Sequence, residues 1–336
     1  MPEQPAANPS YSQGIQTPTP PGAIYNPQLS PASNCIGNYV PPPPVSIVAL
    51  AESTFFWPSI NGVSVSNGIG AAGPAGAITN IDPNSNPLFL VAPRIALGVQ
   101  GCRWGIVGRF WDAQTTSTNA IDVEPNGVNA INTFHAYTAD LEVVRRFAGQ
   151  YGSIWAFGGF RYGSIMYQES FAAGTFTNTD FVHSAAFGNS RFNGSGFTFG
   201  AYGTHAIGSS PFSLFASNRY SFLFGQGRSF TQAEASVLAP GGSDAAADCN
   251  CGSDVAQLFI AEVQLGAQWE HQLRWMPARA FIRTAAEYQY WTTAGIANRS
   301  ITQTAFVGNT VGTGTATASN LLLNMVGFTI GAGIIY

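Results

Sequence analysis

The sequence predicts an all-β fold, an antiparallel transmembrane β-barrel of about ten strands with long outer loops and short periplasmic turns. Three observations predict it. Apolar and polar residues alternate with period two in ten separate segments, the connections between those segments alternate short and long, and the composition does not suit a solvated surface. Of 336 residues, 9% are charged, 13% are aromatic and 38 are Gly, against a usual charged share of ~25%. No run of ~18 apolar residues occurs, so a spanning helix is excluded. A bilayer then admits only a closed barrel.

Residues 1–44 carry many of the 21 prolines and little periodicity, which predicts a disordered tail on the periplasmic side. No basic stretch precedes an apolar core there, so an ordinary signal peptide is not expected. Export is expected to use a start upstream of Met1 or a leader absent from this sequence. Val45 to Ala51 is faintly signal-like but follows four prolines and reads as the first strand. Residues 45–336 form the barrel domain.

The expected strands cover about 45–57, 92–101, 103–112, 133–147, 152–167, 192–206, 212–225, 256–270, 278–291 and 322–336. Most reach the ~9–11 residues that a tilted strand needs to cross a bilayer core. Tight turns are expected at Gly101-Cys102, Ala148 to Gln150, Ile207 to Pro211 and Gln272 to Pro277. Between them, about 58–91, 113–132, 168–191, 226–255 and 292–321 read as long polar loops rich in Gly, Asn, Thr and Ser. Several loops of that length are rare in a soluble domain and usual on the outside of bacterial barrels. An even strand count leaves both chain ends on the short-turn side.

Side-chain alternation assigns the faces. In 257–270, Phe259, Ala261, Val263, Leu265, Ala267 and Trp269 oppose Glu262, Gln264, Gly266, Gln268 and Glu270. That pattern puts lipid outside and water inside. Ile282, Thr284, Ala286, Tyr288 and Tyr290 likewise oppose Arg283, Glu287 and Gln289, and Leu214, Ala216, Tyr220, Phe222 and Phe224 oppose Ser213, Ser217, Arg219 and Ser221. Tyr137, Ala139, Leu141 and Val143 oppose Thr138, Asp140, Glu142 and Arg146. The pattern is weaker in 152–167, where Trp155 and Phe157 share a face with Arg161. In the last strand Val326, Phe328, Ile330, Ala332 and Ile334 form the apolar face, opposite Gly327, Thr329, Gly331 and Gly333. Rings near strand ends are expected at the membrane interfaces: Trp111, Phe134, Trp269, Tyr288, Tyr290, Trp291 and Tyr336.

The lumen then collects Arg109, Arg161, Arg219 and Arg283 with Glu52, Asp140, Glu142, Glu262 and Glu287. Such groups are either an ion-selective lining or a ladder of ion pairs that fills a narrow barrel. The ladder is the expected arrangement, giving a narrow or plugged pore. All thirteen basic residues are Arg and the net charge is −4, so a nucleic-acid partner is not expected. Cys35 and Cys102 would share the periplasmic side, where they bridge or remain thiols; Cys249 and Cys251 belong to an outer loop. Cys249-Asn250-Cys251 has no second ligand pair nearby, so no metal is expected, and no cofactor either. Gly68 to Gly73 matches a dinucleotide fingerprint in letters only, with Pro74 following and no helix pattern. A protease alternative uses Asp180 and His183 in an outer loop, and a soluble β-sandwich would have to be extractable without detergent.

Several segments, taken together in order and spacing, resemble the Legionella-type major outer-membrane protein family, and most nearly its planctomycete-like members. They are Pro93 to Gly98, Gly105 to Asp112, Tyr137 to Val143, Phe157 to Gly163, Ala261 to Gly266 and Arg283 to Trp291. The resemblance covers about 45–336. It implies a bacterial outer-membrane β-barrel described as pore-forming, with Tyr336 as the terminal aromatic read by the barrel-assembly machinery. The expected function is a porin-like narrow passive pore for small solutes or ions. The alternative is a structural or adhesive surface barrel with an occluded lumen. Expected partners are outer-membrane lipid and the assembly machinery.

Overall fold

The structure, a computed structural model, describes residues 45–71, 79–81, 89–123, 126–149, 152–177, 180–208, 210–274, 276 and 278–336. The expected tail, 1–44, lies outside them. Among the described residues twelve strands follow in chain order: β1 (Ser46–Ala71), β2 (Thr79–Ile81), β3 (Leu90–Gln100), β4 (Trp104–Val123), β5 (Asn126–Ala148), β6 (Gly152–Thr177), β7 (Asp180–Ala206), β8 (Phe212–Ala239), β9 (Gly242–Gln272), β10 (Arg279–Ala294), β11 (Arg299–Val307) and β12 (Thr310–Ile335). Ten of these close an antiparallel ring, β1 then β3 to β10 then β12, which pairs back onto β1. β2 adds to the far end of β1 and β11 to the far end of β12. The start of β1 and the end of β12 meet at the short-turn rim, where Ile47 and Tyr336 exchange N–H···O bonds of 2.7 and 2.9 Å.

Eight of the ten expected segments are the rim-side parts of longer ring strands, while 92–101 and 278–291 match nearly the whole of β3 and β10. The long links between them differ from expectation, because most are not irregular loops. β4 and β5 are separated only by 124–125, β6 and β7 only by 178–179, and β8 and β9 only by 240–241. The strands simply continue: β9 runs for 31 residues, about three times what a bilayer crossing requires. The Thr, Ser, Asn and Ala of these stretches show no lipid-facing alternation, yet each backbone N–H and C=O still needs a partner. Pairing with the neighbouring strand supplies it.

The outward face near the rim is an apolar belt. Ile95, Leu97, Leu141, Phe197, Leu265, Ile282 and Val326 all stand exposed, Phe197 by 70%. A continuous apolar surface of this kind is not tolerated in water and is what a lipid-facing wall requires. Toward the far end the belt gives way to Asp112 and His135, paired at 3.0 Å, and to Gln226, Gln257 and Asn324. At the rim it ends on Arg145, His205 and His271. Arg145 lies over the rings of Trp104 and Phe147, each 5.0 Å away, and Trp269 stacks on His271 at 5.6 Å.

One corner reshapes the far half. Gly62 has φ +122°, a conformation that side chains rarely adopt, and the β1–β12 register shifts between Asn61 and Val63. The inward set of β1 accordingly changes from Phe56 and Ile60 to Val63 and Val65. Beyond the corner, β1 and β12 lean across the barrel onto β6, β7 and β8. Contact is close because the facing residues are small: a Cβ on Gly188 would lie 2.6 Å from Val63 Cγ1 and 3.2 Å from the Thr317 carbonyl. Asn67 Nδ2 also donates to the Ser184 carbonyl at 2.9 Å.

Candidate functional site

The lumen is built in layers, from the short-turn rim to the far end. The first is a vestibule of about 230 Å³ with Trp155, Phe157, Tyr202 and Phe281 among its walls and Arg109 and Arg283 at its floor.

The second layer is charged and sits where period-two geometry points one ionisable side chain from each of several strands to the centre. Arg161 donates from Nε and Nη2 to both oxygens of Asp140 at 2.5 and 2.8 Å, and from Nη1 to Glu262 at 2.5 Å. Arg94 donates to both oxygens of Glu287 at 2.6 and 3.2 Å and to Glu52 at 3.4 Å. Arg283 donates to Glu52 at 2.6 Å. Arg219 lies 3.0 Å from Glu142, which also faces Arg109 Nε at 3.1 Å. Glu287 further accepts from Thr329, Gln264 and Gln289 at 2.5, 2.7 and 2.7 Å. Arg94, Arg109, Arg161, Arg219 and Arg283 thus face Glu52, Asp140, Glu142, Glu262 and Glu287, so the layer is electrically balanced. The free space it encloses is about 10 Å³, at the lower limit for one water.

Glycine on the last strand makes room for this layer and for the vestibule. A Cβ on Gly331 would lie 2.6 Å from Glu52 Cγ, and one on Gly333 would lie 2.2 Å from the Phe281 ring. The third layer is apolar: Phe56, Trp111, Phe134, Ile165, Phe192, Leu223, Leu258, Ile260 and Trp291 form one buried cluster. The Trp111 and Trp291 rings sit 5.3 Å apart. Above them, the leaning parts of β1 and β12 close the top with Val65, Ala130, Phe171, Ala173, Ala186 and Ala316.

The structure places Glu52, Arg109, Asp140, Glu142, Arg161, Arg219, Glu262, Arg283 and Glu287 together on the inner face. On β6, Trp155 and Phe157 share that face with Arg161. Among the girdle candidates, Trp269, Tyr288 and Tyr290 point outward and Tyr336 stands 57% exposed at the rim. Trp111 is a correction: it is buried in the lumen, not at an interface. β4 runs on to Val123, so Trp111 is mid-strand, and its odd position puts it on the inner face with Arg109. Phe134 and Trp291 are corrected too: both are buried in the lumen, Phe134 on the inner face of β5 with Asp140 and Glu142, and Trp291 on the inner face of β10 with Arg283 and Glu287. Sequence reasoning missed Arg94, though an even-numbered Arg between outward Val91, Ile95 and Leu97 carried the signal.

Asp180 and His183 do not converge. Asp180 accepts from Thr310 Oγ1 at 2.5 Å, while His183 lies 3.9 Å from Glu234 on the opposite face of β7. Cys102 is disulfide-bonded; Cys35, the other half of the expected bridge, lies outside the described residues. Cys249 and Cys251 are exposed thiols on β9. No group of three or more His, Cys, Asp or Glu that could hold a metal occurs among the described residues.

No protein-family model matches this chain. No curated protein matches it either. Among solved structures it is similar to the outer-membrane protease OmpT from Escherichia coli, at 12% identity and a TM-score of 0.33, over 85% of this chain and 96% of that one. It is also similar to the attachment invasion locus protein Ail of Yersinia pestis, at 10% identity and a TM-score of 0.23, over 87% and 98% of the two chains. A Pseudomonas aeruginosa FadL homologue aligns at 9% identity and a TM-score of 0.21, over 87% and 90%.

Proposed function

We propose that this chain is an integral protein of the bacterial outer membrane whose lumen stays shut, and that it acts as an anchored scaffold presenting long β-hairpins outside the bilayer. The observation that carries this is the balanced ion-pair layer capped by a buried aromatic cluster. An ion crossing it would have to part Arg94 from Glu287 and Arg161 from Asp140, and a buried charge left without its partner costs about 3–5 kcal/mol. It would then meet the largely apolar Trp111–Trp291 cluster, which does not replace its hydration shell. The short-turn rim is taken as periplasmic, the usual sense for such barrels.

The resemblance to the Legionella-type major outer-membrane proteins supports the same membrane and the same topology. The narrow pore that it implies requires the ion-pair layer to separate. Single-channel recording distinguishes the two. Refolded protein with verified insertion is expected to leave a planar bilayer silent. Reproducible conductance steps would replace this reading with the passive pore, and Arg109→Glu with Arg283→Glu would then test which charges line it.

A further inference from the structure

We infer that the periplasmic vestibule is a binding site for a small aromatic carboxylate, held by Arg109. This goes beyond the scaffold reading, since a shut barrel needs no ligand. The argument begins with a difference among the five central guanidinium groups. Arg94, Arg161 and Arg219 each face two or more carboxylates within 4 Å. Among the described residues Arg109 and Arg283 have one each, Glu142 shared with Arg219 and Glu52 shared with Arg94, but Arg283 donates from Nε to Glu52 at 2.6 Å. Arg109 Nε is buried and lies off the line of a hydrogen bond. The side chain is also the one of these five with most exposure, 23%, and it lines both the vestibule and the small void of the ion layer. A guanidinium with spare donors at the floor of a cavity is suited to a carboxylate, which it takes through two parallel N–H···O bonds.

The walls specify the rest of the ligand. Phe157 lies beneath Arg109, its ring centroid 5.7 Å from the guanidinium carbon, and Trp155 and Tyr202 pack at 5.2 Å. Phe281 completes an aromatic collar around the cavity. The acidic residue on the lining, Glu270, is tied to Arg279 at 3.1 Å, so it does not oppose an incoming anion. A volume of about 230 Å³ falls below the ~300 Å³ at which drug-sized pockets begin. A single ring bearing one carboxylate fits that size, and its charge cannot pass further because the ion-pair layer closes the floor.

The test uses the full chain refolded in detergent micelles, with benzoate as probe in equilibrium dialysis. Benzamide, its neutral isostere, reports partition into the micelle, and acetate reports the carboxylate alone. The expected result is one saturable benzoate site, with benzamide showing only linear uptake and acetate binding at least tenfold more weakly. Arg109→Gln is expected to weaken benzoate at least tenfold while heat-modifiable gel mobility remains, because Glu142 keeps Arg219. Trp155→Ala is expected to weaken benzoate more than acetate. Absence of saturable benzoate binding by the folded wild-type barrel overturns the proposal, as does equal binding of benzamide or an unchanged affinity in Arg109→Gln. Conductance plays no part in these readouts, so they stand apart from the test of the shut lumen.

Discussion

Gly62 is a residue on which the shape of the far half depends. Its φ of +122° is combined with a position where a Cβ would lie 2.3 Å from the Asn320 carbonyl oxygen. Ser319 and Asn320 fasten the same corner, Ser319 Oγ donating to the Gly62 carbonyl at 3.1 Å and Asn320 Oδ1 accepting from the Ile296 N–H at 2.9 Å. Gly62→Val therefore adds backbone strain of about 1–3 kcal/mol to a steric clash. The expected outcome is faster proteolysis of the outer hairpins with the rim-side barrel still heat-modifiable. Glu287 is the other sensitive point, because it neutralises Arg94 and accepts from three further groups. Glu287→Gln is expected to lower unfolding stability by about 3 kcal/mol, at the low end because Glu52 and Glu262 still face Arg94. A urea midpoint unchanged from wild type would show that the layer does not stabilise the barrel.

At the scale of elements, the rim-side strands were legible because the bilayer forces their pattern. One face must be apolar and the other tolerates Arg and Glu, so period two stands out in 257–270 and 326–334. The same strands beyond the bilayer face water on one side and small residues on the other. The stretch 226–255 therefore read as a loop, although Arg228 pairs with Ser253 and Gln232 with Cys249 across a continuous ladder. The same loss of contrast beyond 112 makes the Trp111 ring look terminal in the sequence, although β4 continues to Val123. Arg94 went unread because its strand offered a single charge. The scaffold reading fixes where the β8–β9 hairpin lies, and its thiols report it. A membrane-impermeant maleimide added to intact cells is expected to label Cys249 and Cys251, both exposed, and labelling only after permeabilisation would invert the proposed orientation.

For the whole molecule, closure of the ring is the decisive step, because a bilayer leaves no water to satisfy an open sheet edge. The seam joins β1 to β12, the first and last ring strands, and extends the length of both. Tyr336 completes it at the rim through its two backbone bonds to Ile47, while its ring points outward. These two roles predict different consequences of deleting Tyr336. The backbone bonds alone are together expected to contribute about 1–3 kcal/mol, so a truncated chain refolded in detergent should still close, with a modest loss of stability. Ile335 still pairs with Val48 and Arg279, which keeps the seam in register. An aromatic signal for the assembly machinery acts only in the cell, so truncation there should remove most of the protein from the membrane fraction. Tyr336→Phe keeps both the ring and the backbone bonds and should restore it, whereas Tyr336→Gly keeps the bonds alone and should not. If the truncated chain reaches the outer membrane at the wild-type level, Tyr336 is a rim anchor and carries no assembly signal.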